Sequence, residues 1–168
     1  IVRGGAMISW EFLSTDMTGI FGDLEGGGVL HAIIGTLWVT GLAALIAVPT
    51  GIFTAIYLVE YGNRGRLSRG ITTMVDVMTG IPSIVAGLFA YSLFAQLFGP
   101  GYKAAVIGAV ALAVLMTPLV VRQTEEMLRL VPNELREAAY ALGVAKWRVV
   151  TKVVLRTAIG GITTGFMI

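Results

Sequence analysis

The sequence predicts an all-α protein, a polytopic bundle of helices that cross a membrane. Of its 168 residues, 56% are apolar and 13% are charged, whereas a soluble domain has about 25% charged residues. Apolar runs of roughly 20 residues recur along the chain, and a helix of that length crosses the hydrocarbon core of a bilayer. The chain contains no cysteine, which excludes disulfides, thiolate metal sites and cysteine nucleophiles.

The apolar runs divide a single transmembrane domain, residues 1–168, into spans and polar connections. Residues 1–29 are polar and rich in glycine, so we expect them to lie outside the bilayer core. The first apolar run is longer than one span needs and should tilt, or bend near Pro49. The bundle should be incomplete at both ends, because Ile1 is not a start methionine and the last residues stop inside an apolar run. We expect spans at about 30–61, 71–98, 104–121 and 157–168 onward.

The distribution of basic residues predicts the orientation of the bundle. The turn at 62–70 carries three Lys or Arg residues and segment 122–156 carries seven, whereas the rest of the chain carries two. Two spans separate the two basic segments, so both lie on the same side of the membrane. Cytoplasmic loops are enriched in Lys and Arg, which makes that side the cytoplasm.

Segment 122–156 is predicted to form a helical hairpin between the third and fourth spans. Asn133 follows Pro132 and suits a helix N-cap, and good helix formers lead to Gly143, a natural helix stop. A second, basic helical pattern starts near Lys146 and continues into the next apolar run. Composition alone is satisfied by an interfacial hairpin that only joins two spans.

The residues of this hairpin resemble the EAA loop of ABC-importer permeases. Glu137-Ala138-Ala139 is followed, after three residues, by Gly143, and Arg156 stands where many of these permeases have a proline. The resemblance implies that the loop is a cytoplasmic coupling helix held in a groove of an ATPase subunit. The residues that it assigns to this contact are Glu137, Ala138, Ala139, Gly143, Lys146 and Trp147.

The second span contains a carboxylate and a proline. An unpaired Asp76 inside a membrane helix costs about 2.5–3.5 kcal/mol, so it should face protein or water, or pair with Arg69 near the interface. Pro82 lies within the run and should remove the hydrogen bond to the carbonyl of Met78. This predicts either a plain kink or a local opening that offers amides and hydroxyls to an anion. The hydroxyls available to satisfy the freed backbone groups are those of Thr79 and Ser83.

Arg122, at the end of the third span, is the other candidate for a functional group. Glu125 and Glu126 lie three and four residues further on and share its helix face. The arginine either anchors the end of the helix or presents its planar guanidinium to a tetrahedral oxyanion. In the second case Glu125 would hold Arg122 poised between anions.

Two stretches, GIPSIVAGLF at 80–89 and TPLVVRQTEEMLRLVPNELREAAYALG at 117–143, resemble the permeases of phosphate-specific ABC importers. The resemblance extends from about Thr36 to Gly165 and is better to the PstA-type than to the PstC-type subunit. A basic residue often replaces the loop proline in that family, as Arg156 does here. The resemblance implies the type I ABC-importer (MetI-like) permease fold. The substrate-pathway residues would then be Arg122, Glu125, Thr79, Ser83 and Asp76.

The partners implied by this resemblance are ATP-binding cassette ATPase subunits, a second, PstC-type permease subunit and an extracytoplasmic phosphate-binding protein. The resemblance also implies contact with phosphate and membrane lipid, and a location in a bacterial or archaeal cytoplasmic (inner) membrane. It implies no nucleic acid, cofactor, metal or catalytic group. The chain has no GxxxxGK[ST] loop and therefore should bind no nucleotide itself.

Three other functions remain open at this stage. The chain could be an importer permease for another oxyanion or small solute, or a passive channel whose transport continues without ATP. An intramembrane serine protease would have to place Ser83 opposite His31, and no nucleophile motif surrounds that serine.

Overall fold

The computed structural model describes residues 9–17, 27–62, 65–99 and 105–167, and every regular element in these ranges is helical. The predicted all-α bundle is confirmed. Most of the polar segment 1–29, the start of the third span at Ala104 and the last residue, Ile168, lie outside the described residues. The helices are α1 Trp10–Ser14, α2 Leu30–Ile56, α3 Arg66–Thr79, α4 Ser83–Phe98, α5 Ala105–Arg129, α6 Asn133–Ala141, α7 Lys146–Val149 and α8 Leu155–Met167.

Two short π-helical turns extend these helices. Tyr57–Tyr61 continues α2, and Val150–Val154 connects α7 to α8 without a break. Each turn lies where a long helix meets the hairpin of α6 and α7.

The centre of the bundle is the contact between α2 and α5, which is built from small side chains. Ala43 and Ala47 of α2 pack with Ala113 of α5, and a Cβ on Gly51 would overlap the side chain of Val120. In lipid, the hydrophobic effect does not favour helix association, because the surrounding lipid tails are as apolar as the side chains. Small residues let two helices approach closely, and the dispersion contacts between them then stabilise the pair. The two longest helices therefore form a closely packed pair.

A second core joins the hairpin to the ends of the long helices. Val149 and Val154 are fully buried, together with Val121 and Leu128 of α5. Other members of this core come from α2, α3, α8 and the turn after α5: Ala55, Leu58, Val75, Ala158, Ile162 and Val131. The hairpin is thus part of the bundle rather than a free loop.

Two helical stretches are long and apolar enough to cross a membrane, the 32 residues of Leu30–Tyr61 and the 25 residues of Ala105–Arg129. Helices α3 and α4 pass the same test only as a pair, which gives up to three spans in the described part of the chain. The predicted fourth span, 157–168 onward, falls on α8, whose 13 residues are too few to pass this test. Large apolar side chains on the outer faces of α2 and α4 are exposed, as expected where lipid or another subunit covers them: Leu37, Phe53, Leu88 and Phe89 among others.

The second apolar run is not one kinked helix. Helix α3 ends at Thr79, α4 begins at Ser83, and the two axes differ by 104°. Pro82 has no amide hydrogen and disfavours helical geometry at the residue before it, so the chain turns here. The carbonyl of Met78, expected to lose its partner, accepts the amide of Ile81 at 3.3 Å instead.

Helix α5, which corresponds to the predicted third span, continues past the predicted end of that span at Val121 as far as Arg129. Arg122 is therefore an internal helix residue, and the first part of segment 122–156 is not a loop. The charges do not end the helix because they pair with one another along it and with a neighbouring helix. The helix stops shortly before Pro132, which disfavours helical geometry at Val131.

Candidate functional site

Arg122 lies at the centre of a network of four charged side chains on α3 and α5. Its Nη2 donates to the carboxylate of Asp76, and its Nη1 donates to Glu125 Oε2 at 2.9 Å. The other oxygen of Glu125 accepts from Arg129 Nη2 at 2.7 Å. The network therefore alternates in sign and contains two guanidinium groups and two carboxylates, with no net charge.

The partner of Asp76 differs from the expected one. The carboxylate contacts Arg122 of α5 and not Arg69 of its own helix, because the packing of α3 against α5 brings the two helices together. Of the two glutamates that share a face with Arg122, only Glu125 binds it, while Glu126 is exposed. The sequence contained every member of the network, but only the packing shows which of them meet.

The members of the network differ in exposure. The Glu125 side chain is 9% exposed, that of Arg122 is 34% exposed and that of Asp76 is 57% exposed. Glu125 is therefore held by the protein, with an arginine on each oxygen. Asp76 is the carboxylate that solvent or a solute reaches most easily.

The two hydroxyls predicted near the bend have different positions. Thr79 Oγ1 donates to the carbonyl of Asp76 at 2.7 Å, which satisfies a backbone acceptor in the last turn of α3. Ser83 is the exposed first residue of α4, on the far side of the break. The structure thus brings Asp76, Arg122 and Glu125 into direct contact, places Thr79 one turn from Asp76 and does not join Ser83 to the network.

The predicted helix–glycine–helix hairpin is present as α6, a turn and α7. Gly143 has φ +73°, a left-handed conformation that glycine adopts without strain. Its amide donates to the carbonyl of Tyr140 at 2.9 Å, and the amide of Val144 donates to the carbonyl of Ala139 at 3.2 Å. The N-cap is one residue earlier than expected, because Pro132 caps α6 and Asn133 is its first residue.

The residues expected to contact an ATPase divide into an outward and an inward set. Glu137, Ala138 and Gly143 are exposed, and Trp147 is 57% exposed, with the guanidinium of Arg148 above its ring. Ala139 is partly buried against the second core. The ammonium of Lys146 lies 4.8 Å from the ring centroid of Tyr61, so it contacts this chain's own first long helix.

A buried ion pair was missed by the sequence analysis. Arg136 of α6 donates through Nε and Nη2 to Glu60 Oε1, at 3.1 and 3.0 Å, and the two side chains are 13% and 6% exposed. Loss of one partner of such a pair costs about 3–5 kcal/mol. The available signal was Glu60 itself, since a carboxylate at the end of a long apolar run needs a partner.

The comparison with known proteins agrees with this architecture. The family described as binding-protein-dependent transport system inner membrane component matches residues 47–168. The chain is 51% identical over 152 residues to phosphate transport system permease protein PstA 1 of Mycobacterium tuberculosis (strain CDC 1551 / Oshkosh), covering 90% of this chain and 49% of that protein. It is 45% identical over 163 residues to phosphate transport system permease protein PstA of Mycobacterium leprae (strain TN), covering 97% and 53%.

A solved structure shares the fold. A chain of the MetNI methionine ABC transporter, in an inward-facing conformation, superposes with a TM-score of 0.66 at 23% identity, over 82% of this chain and 64% of that chain. This confirms the expected MetI-like permease fold. The chain spans about half the length of the phosphate permeases that it matches. It belongs to the family of inner membrane components of binding-protein-dependent transport systems, and within that family it is of the PstA type.

Proposed function

We propose that this chain forms part of the permease subunit of an ATP-driven phosphate importer. Its share of the work is to line the anion pathway and to connect that pathway mechanically to the ATPase. The observation that carries the proposal is the position of Arg122, which both Asp76 and Glu125 hold beside the break between α3 and α4. The names of the similar phosphate permeases support the choice of anion.

The geometry of the network suggests how an anion is accepted. Each terminal nitrogen of Arg122 donates one of its hydrogens to a carboxylate, so the two carboxylates compete with an incoming phosphate for the guanidinium. Asp76 is the one that leaves, because it is 57% exposed while Glu125 is 9% exposed and held by two arginines. The guanidinium fork then offers two parallel hydrogen bonds to two phosphate oxygens.

Release of the anion follows from the same competition. Asp76 remains tethered at the end of α3 and rebinds Arg122 once the anion has moved on. The carboxylate thereby limits how long phosphate stays at Arg122. Such a limit is needed because phosphate has to leave every intermediate site for transport to continue. Thr79 and Ser83 flank the break and offer hydroxyls to the moving anion.

The exposed face of the α6–α7 hairpin is the proposed contact with the ATPase. Glu137, Ala138 and Trp147 are accessible there, and Gly143 sets the angle between the two helices. When ATP binding draws two ATPase subunits together, the hairpin moves with them and the spans tilt as rigid bodies. The chain supplies no phosphate-binding loop for nucleotide, so hydrolysis takes place in the partner.

The remaining partners follow from the same proposal. The exposed apolar faces of α2 and α4 would be covered by lipid and by a second, PstC-type permease subunit. A phosphate-binding protein would deliver the anion from the outer side of a bacterial or archaeal cytoplasmic membrane. In this proposal the binding protein captures phosphate, and this chain controls the passage of the anion through the membrane.

The test is uptake of radiolabelled phosphate into vesicles that contain the full-length permease, its partner permease and the ATPase. We expect Arg122→Ala to abolish uptake while the complex still copurifies, and Glu137→Ala to weaken ATPase docking. Glu126→Gln is the matched control, because Glu126 is an exposed carboxylate on the same helix as Arg122 and binds none of the network. Wild-type uptake by both Arg122→Ala and Glu137→Ala would overturn the assigned roles.

Two further results would replace the proposed function by another. Uptake that persists after ATP is removed identifies a passive channel. Selective uptake of sulfate, with none of phosphate, identifies a permease for a different oxyanion.

A further inference from the structure

We propose that the π-helical turn Tyr57–Tyr61 is a rigid joint that fastens the α6–α7 hairpin to α2, so that the hairpin and the first long helix move as one body. The inference rests on the proposed function in one respect, namely that the hairpin is the element an ATPase moves. It adds two positioning residues, Glu60 and Arg136, and gives Lys146 a role within this chain.

The first half of the joint is the guanidinium of Arg136. Two of its nitrogens donate to Glu60 Oε1 of the π-helical turn. The same group donates to the carbonyl of Val131 at 2.6 Å and to the carbonyl of Leu128 at 2.9 Å. Helix α6 is therefore bound to the end of α2 and, through backbone acceptors, to the end of α5. One planar guanidinium donates to these three acceptors at once, so sliding of α6 would break several charge-assisted hydrogen bonds together.

The second half of the joint is on α7. The ammonium of Lys146 lies over the ring of Tyr61, the residue next to Glu60. Val149 of α7 and Val154 of the π-helical turn that follows it are fully buried in the core that also contains Leu58 of Tyr57–Tyr61. Each helix of the hairpin is thus attached separately to the same five-residue turn.

Two neighbouring positions on one short turn serve the two helices of the hairpin. Consecutive side chains on a helix point in different directions, about 100° apart in an α-helix, so Glu60 and Tyr61 face different neighbours. The wider turn is a local departure from α-helical geometry of the kind that often marks functional sites. Here it directs a carboxylate towards α6 and an aromatic ring towards α7.

The joint contrasts with the Asp76–Arg122 pair in the pathway. The Glu60 and Arg136 side chains are 6% and 13% exposed, whereas solvent reaches the pathway pair readily. A water-excluded pair bound from several directions transmits force, and an exposed pair exchanges partners. We therefore assign force transmission to the first pair and anion exchange to the second.

The first experiment measures the joint directly, without reference to any transported solute. The 168 residues contain no cysteine, so spin labels in this segment can be attached to introduced cysteines alone. Suitable positions are Phe53 of α2 and Leu142 at the end of α6, because both side chains are exposed. In the assembled full-length transporter we expect one narrow distance that is the same with and without ATP. A distance that shifts on ATP binding, or a broad distribution, would overturn the rigid joint.

The second experiment asks whether the joint couples hydrolysis to transport. We expect Glu60→Gln and Arg136→Lys each to raise the ATP hydrolysed per phosphate imported by about tenfold, with the double variant no worse than either. ATPase docking, measured by copurification, should remain. A merely structural role would lower both activities together, and an unchanged ratio would overturn the proposal. The exposed carboxylate variant Glu126→Gln is the control.

A covalent link supplies the sharpest outcome. In the Glu60→Gln background, Tyr61→Cys and Lys146→Cys can be bridged by a cleavable bifunctional thiol reagent, because the two native side chains are in contact. We expect the bridge to restore the wild-type coupling ratio and its cleavage to remove that gain. A bridge that inhibits uptake, or changes nothing, would overturn the joint. If wild-type transporter imports no phosphate, the proposed function fails instead, and the distance measurement still decides the joint.

Discussion

Asp76 of α3 and Arg122 of α5 form an ion pair although 46 residues separate them in the chain. The pair joins α3, the shorter helix of the broken segment, to α5, which makes the most extensive helix–helix contact of the described residues with α2. It also completes a neutral network in which Glu125 is the buried member.

Replacement of Arg122 by lysine tests whether the guanidinium fork matters beyond its charge. Lysine keeps the charge but cannot donate two parallel hydrogen bonds to one oxyanion. We expect initial rates of phosphate uptake to fall about tenfold, which corresponds to the loss of one charge-assisted hydrogen bond of about 1.5 kcal/mol. Arg66→Lys, at an exposed arginine on α3, is the control, and wild-type uptake by Arg122→Lys would show that charge alone suffices.

Removal of the charge of Asp76 should strengthen anion binding at Arg122. Asp76→Asn keeps the shape of the side chain but leaves Arg122 with Glu125 as its only carboxylate. We expect phosphate to bind the detergent-solubilised transporter more tightly, by at most about fivefold, because an exposed ion pair is worth about 0.2–1 kcal/mol. Equilibrium binding of labelled phosphate measures this shift.

The control for the Asp76 variant is Glu126→Gln, which removes an equal charge from an exposed position on α5. Similar tightening in both variants would mean that general electrostatics, rather than competition for Arg122, governs binding. Weaker binding in Asp76→Asn would contradict displacement of this carboxylate by the anion.

Gly51 tests the close contact between α2 and α5. A methyl group at this position would overlap the side chain of Val120, so Gly51→Ala should destabilise the protein by about 1–3 kcal/mol. The second substitution Val120→Ala removes the nearer of the two overlapping atoms, Cγ1, but keeps Cβ, and should therefore recover only part of that loss. Thermal unfolding in detergent provides the measurement. Gly41→Ala, on the same helix with no atom near the added methyl group, should not destabilise the protein, because alanine is the better helix former.

Thr124 tests the cost of a buried hydroxyl that has no hydrogen-bond partner. Its side chain is fully buried, and its hydroxyl has no hydrogen-bond partner among the described residues. Thr124→Val removes the hydroxyl and keeps the shape, so it should stabilise the protein by about 1 kcal/mol.

The matched change for Thr124 is Thr117→Val on the same helix. The Thr117 hydroxyl donates to the carbonyl of Ala113 at 2.7 Å, so its loss should bring no gain in stability. Equal unfolding temperatures for the two valine variants would indicate that Thr124 has a partner in the complete transporter.

The local features of the chain could be predicted because their causes are local. Apolar runs of membrane length revealed the long helices, and Gly143 with its flanking helix formers revealed the hairpin. Pro82 predicts either a kink or a local opening, but proline chemistry alone does not set an angle of 104°. The predicted end of α5 at Val121 is wrong because a charged residue on a helix surface does not by itself end the helix.

The pairing of charges could not be predicted for a different reason. Sequence shows that Asp76 and Glu60 each need a partner in an apolar setting, but the chain contains several arginines and does not say which one each carboxylate meets. The choice depends on which helix faces meet, and those faces are set by distant small residues such as Ala47 and Gly51.

The helical membrane architecture and the exposed α6–α7 hairpin follow from the sequence, because periodicity, span length and loop motifs are properties of contiguous residues. The pairing of Arg122 with Asp76 and of Arg136 with Glu60 follows from the packed helices alone. An ion pair requires two side chains at a distance of a few ångströms, and helix packing alone brings residues 46 or 76 positions apart to that distance.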